Sequence, residues 1–504
     1  MQCKSEESRI MNKSVFIGLL LFSVGAQLGL QLYFSNRKTQ VKEEQQKEAL
    51  RLEVLFAEER EHKEETTSLS LPYAHMSFTN KGGSLSDLTY VRNMDGHLQE
   101  FVILATDDSK EREQQAFLVA LDDKTPYAYE LKGVEETDEM HTISYEHVGH
   151  GADIQKQFLV HKDKQQIDMV LTVKPHTATK VRLLWPSPVL KGLGEDEVLD
   201  GFALSQKGDF SKVTQKKIEG AQYSQPSLFG VEDKYFVYAM VSDAQNFAQR
   251  GYYKNVDQRL LAILESSEIQ EETTWKFSFY CGPKQAAAMM LVDKRLEKVF
   301  DYGFFGFIAK PLLKLLAWVN GIVHNYGLAI LLVTLLLKLI LLPFTWSGAR
   351  KMKRLQEYQR KMEYLQQKYK HDKQALEAAR MELLQKEGVP LGGCLPALLP
   401  IPFLVALQSG LSNSLELYRA PFVFWIKDLS AADPYYVLPF LMTVFFLLSG
   451  AMGGKSARQN IGAFIMAIVM FAFTSSLAAG LCLCIVANIG LHVLQTALQK
   501  AIDV

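Results

Sequence analysis

The sequence is poor in the signals by which most enzymes declare themselves. It has no phosphate-binding glycine loop, no Gly-x-Ser-x-Gly nucleophile elbow and no metal-ligand spacing. Only 5 cysteines occur in 504 residues. Cys3, Cys281 and Cys394 are scattered, and Cys482 and Cys484 point to different sides of a helix. No CxxC pair exists, which argues against a zinc or thioredoxin-like site and leaves the cysteines as small apolar fillers. Cys3 precedes any apolar stretch, so a lipid-anchored cysteine after a signal peptide is not expected. Net charge is also lacking: the formal value is −1. A polycation built for nucleic acid is excluded, and no specific nucleic-acid partner is expected. No cofactor is implied.

What is present is unevenly spread. The first 35 residues and the last 200 are strongly apolar, whereas the middle is polar and charged. That asymmetry indicates a membrane protein carrying one large soluble domain. Residues 1–14 form a short, weakly basic start, within which Met11 is an alternative first residue. Residues 15–34 run without a charge for the length of a spanning helix and lack a small-x-small cleavage site, so an uncleaved signal anchor is expected. Residues 35–70 are rich in Glu, Gln and Lys and form a solvated helix or a disordered tether.

From residue 71 to about 298 the period changes. Ile167, Met169, Leu171 and Val173 alternate with polar neighbours except at Val170. Trp275, Phe277 and Phe279 alternate with Lys276 and Ser278. Gly-Gly, Asp-Asp and Pro-Ser-Pro punctuate such runs. This is the pattern of an all-β domain of many short strands. Its histidines and carboxylates form no readable constellation.

Residues 301–320 place Lys310 and Lys314 four apart among Phe, Leu and Trp, as in an amphipathic helix lying in the membrane interface; the alternative is that they begin the next span. Residues 326–345 form an apolar run containing Lys338. A lysine at the centre of a span costs about 2.5–3.5 kcal/mol on insertion scales. A basic segment, 347–388, follows. Its Ser347–Glu387 stretch holds eleven Lys or Arg and six Asp or Glu, a net +5. By the rule that counts Lys and Arg in short loops, it faces the cytoplasm. Apolar residues three or four apart before and after His371-Asp372 predict a two-helix hairpin. Its recruiting cations are Arg350, Lys351, Lys353, Arg354, Arg360 and Lys361.

Four further spans are expected at 391–411, 435–450, 461–475 and 477–497, followed by a cytoplasmic tail, 498–504. The first contains Pro396, Pro400 and Pro402, whose freed carbonyls need partners in other helices or water. The topology has six transmembrane helices, both ends inside and the β domain outside. Thr334 shares a helix face with Lys338, and Asn488, His492, Gln495 and Gln499 form a polar stripe on the last span. The candidate groove is therefore Lys338, Thr334, Asn488 and His492. Snorkelling of Lys338 to the inner headgroups is the competing account. Acidic partners for a proton or ion path are lacking in these spans.

Four segments carry a resemblance: DYGFFGFIAKPLLKLLAWVN, GLAILLVTLLLKLILLPFT, GVPLGGCLPALLPIPFLVAL and ELYRAPFVFWIKDLSAADPYYVLPFLM. Together they resemble the membrane core of the YidC-type bacterial membrane protein insertases, and NKGGSLSDL and TWKFSFYCGP resemble the outer domain. The resemblance implies a five-helix insertase core plus the anchor, and an all-β periplasmic supersandwich similar to sugar mutarotases but without their catalysis. It implies a cytoplasm-open polar groove in the bacterial inner membrane. A basic residue there attracts the leading segment of a nascent membrane protein, whose apolar segment then slides into lipid along the third and fifth core spans without nucleotide. The Sec translocon, the ribosome or signal-recognition components, and membrane lipids are the implied partners. The sequence departs from the family pattern at Lys338, where arginine is usual, at Ile485 for a tyrosine and at Val389 for an asparagine. The tail to Val504 holds only Lys500 as a basic residue, which shifts any ribosome role to the hairpin. Two other functions compete: a transporter or channel with an extracytoplasmic sensor, and an anchored carbohydrate-binding protein.

Overall fold

The computed structural model describes residues 55–56, 63–300 and 306–502 apart from internal gaps. The gaps are 95–96, 106–114, 122–123, 127, 150, 191–198, 219–220, 257–258, 371, 388–402, 404, 408–414 and 453–456. The expected first span at 15–34, most of the 35–70 tether and most of the expected span at 391–411 lie outside the described residues. The described end of the tether differs from the expectation of a solvated helix or disordered segment: Leu55–Phe56 and Thr66–Ser70 are strands, the second pairing antiparallel with Ala74–Thr79 in the four-stranded sheet. The chain divides into two compact units, Met1–Lys298 and Val299–Val504.

The first unit is built from three sheets of seven, nine and four strands. In the nine-stranded sheet, strand Ala152–His161 pairs antiparallel with Gln166–Pro175, setting Phe158 opposite Met169 and Ile154 opposite Val173. Ile167, Met169, Leu171 and Val173 are all fully buried, as their period of two requires of a strand with one face on a core. The seven-stranded sheet packs on the nine-stranded one through Trp185, whose ring meets Phe229 at 5.9 Å and Phe279 at 5.3 Å. The four-stranded sheet packs there too, through Tyr90 and Phe101 against Phe236.

One polar group lies deep in this core. Lys156, on the Ala152–His161 strand, is 1% exposed. Its ammonium donates to the carbonyls of Gly82 (2.6 Å), Gly83 (3.1 Å) and Phe117 (3.0 Å) and lies 4.6 Å from the Tyr129 ring centre. The three N–H groups of a lysine match three acceptors. Gly82 and Gly83 have φ of +74° and +49°. A Cβ on Gly82 would come within 2.5 Å of Leu118, and one on Gly83 within 3.0 Å of Tyr129. The Asn-Lys-Gly-Gly turn is thus shaped to present carbonyls to a cation.

The second unit is helical. Its helices are α1 (Gly306–Val323), α2 (Tyr326–Lys368), α3 (Lys373–Glu387), α4 (Val437–Met452), α5 (Ala457–Thr474) and α6 (Ala479–Ile502). Among the described residues, three stretches are long and apolar enough to cross a membrane: Gly306–Val323, Tyr326–Pro343 and Ala479–Gln499. Val437–Ser449 and Phe464–Thr474 are shorter apolar helices.

By length and composition α1 is apolar enough to cross a membrane, which suits either an interfacial helix or the alternative of a span for 301–320. One feature differs from the sequence reading. The 326–345 span and the first arm of the basic hairpin are one helix of 43 residues, about 65 Å long. Pro343 lies inside it. Proline forfeits one hydrogen bond there, but leucines before it and the Lys, Arg, Gln and Glu after it are strong helix formers, so the ladder resumes. The turn expected near His371-Asp372 is present. Asp372 Oδ1 accepts from Gln374 N at 3.1 Å and Ala375 N at 3.0 Å, opening α3.

Candidate functional site

Helix α2 separates two environments along its length. Leu328, Leu332, Leu335, Leu336, Leu339 and Ile340 are exposed, whereas Ala329, Ile330, Val333, Thr334 and Lys338 are buried. The exposed set is a wide apolar face; Ile330, Thr334 and Lys338 stack at steps of four on the protein-facing side. Lys338 is 8% exposed while its neighbours Leu339 and Ile340 are 56% and 58% exposed. A snorkelling lysine would leave the bundle along the apolar face. Lys338 instead points inward, and it has no hydrogen-bond or ion-pair partner among the described residues.

Helix α6 supplies the facing wall. Thr334 Oγ1 donates to the Ile330 carbonyl at 2.7 Å and lies 3.4 Å from Cys484 Sγ. One turn beyond Cys484 on the same face is Asn488, half-buried, and one turn further is His492, exposed. Both helices start from the same end of the bundle and run the same way, so Lys338 stands at the level of Asn488, about 6 Å past the Thr334–Cys484 contact. Helix α4 closes on α6 where Gly490 stands: a Cβ there would lie 3.1 Å from the Phe445 ring.

The end at which α2, α4 and α6 begin is covered by residues 415–436. Asn325 caps α2 by accepting from Leu328 N at 3.0 Å, and its amide donates to the Phe422 carbonyl at 3.2 Å. The Phe422 ring occupies the space a Cβ on Gly327 would take. Asp433, 2% exposed, accepts from Trp425 Nε1 (3.0 Å), Tyr435 N (3.1 Å) and Leu438 N (2.7 Å) at the start of α4. The first amides of α6 donate to the same segment, Ala479 N to Ala431 O at 2.7 Å and Gly480 N to Leu429 O at 2.8 Å. A helix leaves its first amides unpaired; this segment takes up those of α4 and α6, while α2 is capped by its own Asn325, whose side-chain amide ties that cap to the Phe422 carbonyl.

The four groove candidates therefore fall on two facing helix stripes, with Lys338 between a floor of Thr334 and Cys484 and a level marked by His492. The six hairpin candidates are not part of this cluster. Arg350, Lys351, Lys353, Arg354, Arg360 and Lys361 follow on α2, about 18–35 Å along the axis from Lys338. Cys484 was missed as a wall residue, since its contact with Thr334 spans 150 positions and leaves no local pattern. Asp433 was missed as well, although an aspartate a few residues before an apolar helical run is a readable cap signal. Ile485, where a family tyrosine was expected, sits beside Cys484 and is half-buried. Among the described residues no group of His, Cys, Asp and Glu could hold a metal ion.

Comparison with known proteins agrees with this layout. The family described as 60Kd inner membrane protein matches residues 318–503, and the YidC periplasmic domain matches residues 68–315. "Membrane protein insertase YidC" of Geobacter metallireducens is 36% identical over 273 residues, covering 52% of this chain and 51% of that protein. The protein of the same name in Thioalkalivibrio sulfidiphilus is 43% identical over 175 residues, 34% of this chain and 31% of that one. The chain thus spans about half the length, or less, of the curated relatives it matches. Among solved structures, an active YidC insertase with its first transmembrane domain resolved covers 86% of this chain and 92% of its own, at TM-score 0.39 and 16% identity. A putative aldose 1-epimerase from Escherichia coli K12 covers 44% of this chain and 99% of its own, at TM-score 0.26 and 10% identity. The periplasmic-domain and inner-membrane matches follow one another almost without a gap from residue 68 to residue 503, in the order of the two compact units; the chain belongs to the YidC-type membrane protein insertase family.

Proposed function

We propose that this chain inserts and folds membrane proteins, by binding them rather than by covalent chemistry. The single observation that carries the proposal is Lys338. It is buried on the protein side of an apolar helix, with no partner among the described residues. An uncompensated ammonium in such a setting is costly and is relieved by water or by an incoming acceptor. A polar or acidic leading segment of a nascent membrane protein is such an acceptor. Thr334 and Asn488 add donors and acceptors beside Lys338, and the exposed apolar faces of α2 and α5 offer lipid-like surface to the hydrophobic segment that follows.

In this reading the chain has six spans in the bacterial inner membrane. The 415–436 segment and the β unit face the periplasm, and the second half of α2, with α3 and the end of α6, lies in the cytoplasm. The family descriptions support an inner-membrane protein with a periplasmic domain. The basic balance of the 347–388 region supports its cytoplasmic side. That hairpin, with Arg350, Lys351, Lys353, Arg354, Arg360 and Lys361, receives clients and is the contact for the ribosome or signal-recognition components; the Sec translocon is a working partner. The transporter or channel reading has no support in the family matches.

Reconstitution tests the proposal. Purified protein in liposomes is expected to insert a small membrane protein without nucleotide, the Lys338→Arg variant to do so as well, and Lys338→Glu to lose most of the activity. Normal insertion of every tested client by Lys338→Leu would remove the groove charge from the mechanism.

A further inference from the structure

Helix α1 has more than one kind of face. Ala309, Leu312, Leu316 and Val319 are buried, at the spacing of one helix side. Phe307, Trp318 and Ile322 are 73%, 66% and 61% exposed. Lys310 and Lys314 are exposed as well. Lys310, Lys314, Trp318 and Ile322 follow one another at steps of four, so they form one ridge, turned away from the buried side. A helix crossing the bilayer is ill suited to such a ridge. Lys314 would stand at its centre with Lys310 one turn away, both facing lipid, where a cation is strongly disfavoured. Lying flat, the same helix keeps both lysines at headgroup level while Phe307, Trp318 and Ile322 reach the acyl boundary.

That level is marked on the neighbouring segment. Asn325, just past the end of α1, donates to the Phe422 carbonyl. The turn that follows, Phe422 N to Ile426 O at 3.0 Å, holds Phe424 at φ +55° with its side chain 88% exposed. A phenylalanine at positive φ is strained, and here the strained position sets an aromatic ring outside the protein. Tyr435, on the same segment, is exposed too. Exposed aromatic rings gathered at one end of a bundle mark a membrane–water interface.

We infer that α1 binds an anionic phospholipid: the Lys310 and Lys314 ammoniums hold its headgroup phosphate, and Trp318, one turn further along the ridge, packs on its glycerol and upper acyl chain. Residues four apart on a helix have Cβ atoms about 5–6 Å from each other, close enough for two lysines to share one phosphate. Phosphatidylcholine carries its own cation beside the phosphate, so the lysines gain little from it. The leaflet rests on the topology proposed above; the headgroup contact does not.

The test is quenching of tryptophan by brominated lipid in proteoliposomes of the full chain, with no client present. The Trp318 signal is the difference between the parent and Trp318→Phe. Brominated phosphatidylglycerol is expected to quench it as though enriched about fivefold over brominated phosphatidylcholine at the same mole fraction, the attraction of a surface lysine for anionic lipid. The preference is expected to vanish in the Lys310→Gln, Lys314→Gln double variant, to persist in Lys310→Arg, Lys314→Arg, and to shrink at high salt. Both positions are exposed, so neither pair of changes disturbs packing. Bromines near the glycerol should quench more than bromines near the chain ends. Equal quenching by the two lipids, an unchanged preference in the glutamine variant, or stronger quenching by the deep bromines, as a spanning α1 would give, overturns the inference. Insertion assays on the same vesicles judge the insertase reading separately.

Discussion

Replacing Lys156 by Met tests whether the buried ammonium organises the β unit. Met has nearly the volume of Lys and no donors, so packing is kept while three carbonyls, those of Gly82, Gly83 and Phe117, lose a partner. A buried acceptor left without its donor costs about 1–3 kcal/mol. Relief of the lysine's own desolvation offsets part of that. A net loss of about 3–5 kcal/mol is expected, a large share of a typical total of ~5–15. For a region of this size each kcal/mol moves the midpoint by about 2–4 °C, so Tm should fall by roughly 10 °C. Trp185 and Trp275 are both buried in this unit, so tryptophan fluorescence of the full chain on heating reports its unfolding. Lys132→Met is the control. Lys132 pairs with Glu130 and Glu146 on the surface, where ion pairs contribute about 0–1 kcal/mol. If the Lys156 and Lys132 variants melt together, the carbonyl cradle contributes nothing and the account of the Gly-Gly turn is wrong.

Two other outcomes follow from the geometry. Burial would raise the Glu265 carboxyl, but the Arg182 hydrogen bond and the Arg250 charge hold it below its ordinary value. The unfolded chain therefore binds the proton more readily. The stabilisation is present above the ordinary carboxyl pKa of about 4.3 and is lost as pH falls through the lower folded value. Glu265→Gln should flatten the acid limb of a Tm-against-pH curve and leave its shape above pH ~6 alone; an unchanged acid limb would refute this. Gly327→Ala forces a methyl into the Phe422 ring, whereas Gly321→Ala meets nothing within 4 Å. The first should lower yield and thermal stability of the detergent-solubilised protein and the second should not, as measured by size-exclusion profile and melting.

The β unit was legible because a strand with one face on a core writes its burial into every second residue. Ile167 to Val173 could be assigned to a core face without knowing their partner strand. The sheet order was not legible, since pairings such as Thr179–Pro186 with Arg259–Ile269 join strands far apart in sequence. The importance of Lys338 was legible from cost alone, a charge where apolar residues are required. Its inward direction was not, because the helix has leucines on nearly every side and only the packed neighbours distinguish one side from another. The extent of α2 was missed for a different reason. A change from apolar to basic composition marks a change of solvent, and it was taken for a change of element. Backbone hydrogen bonding is indifferent to that boundary.

The undivided α2 has a mechanical meaning as well. From Lys338 to the end of the helix at Lys368 the axis is about 45 Å long, and Pro343 sits near the inner end of that length, where helices bend most readily. A bend of about 10° there carries the Lys368 end through roughly 6–7 Å, while the Lys338 side chain barely moves. The helix is a lever with its short arm in the groove and its long arm in the basic hairpin, so a small displacement around the buried charge and a large one at the far tip are the same motion.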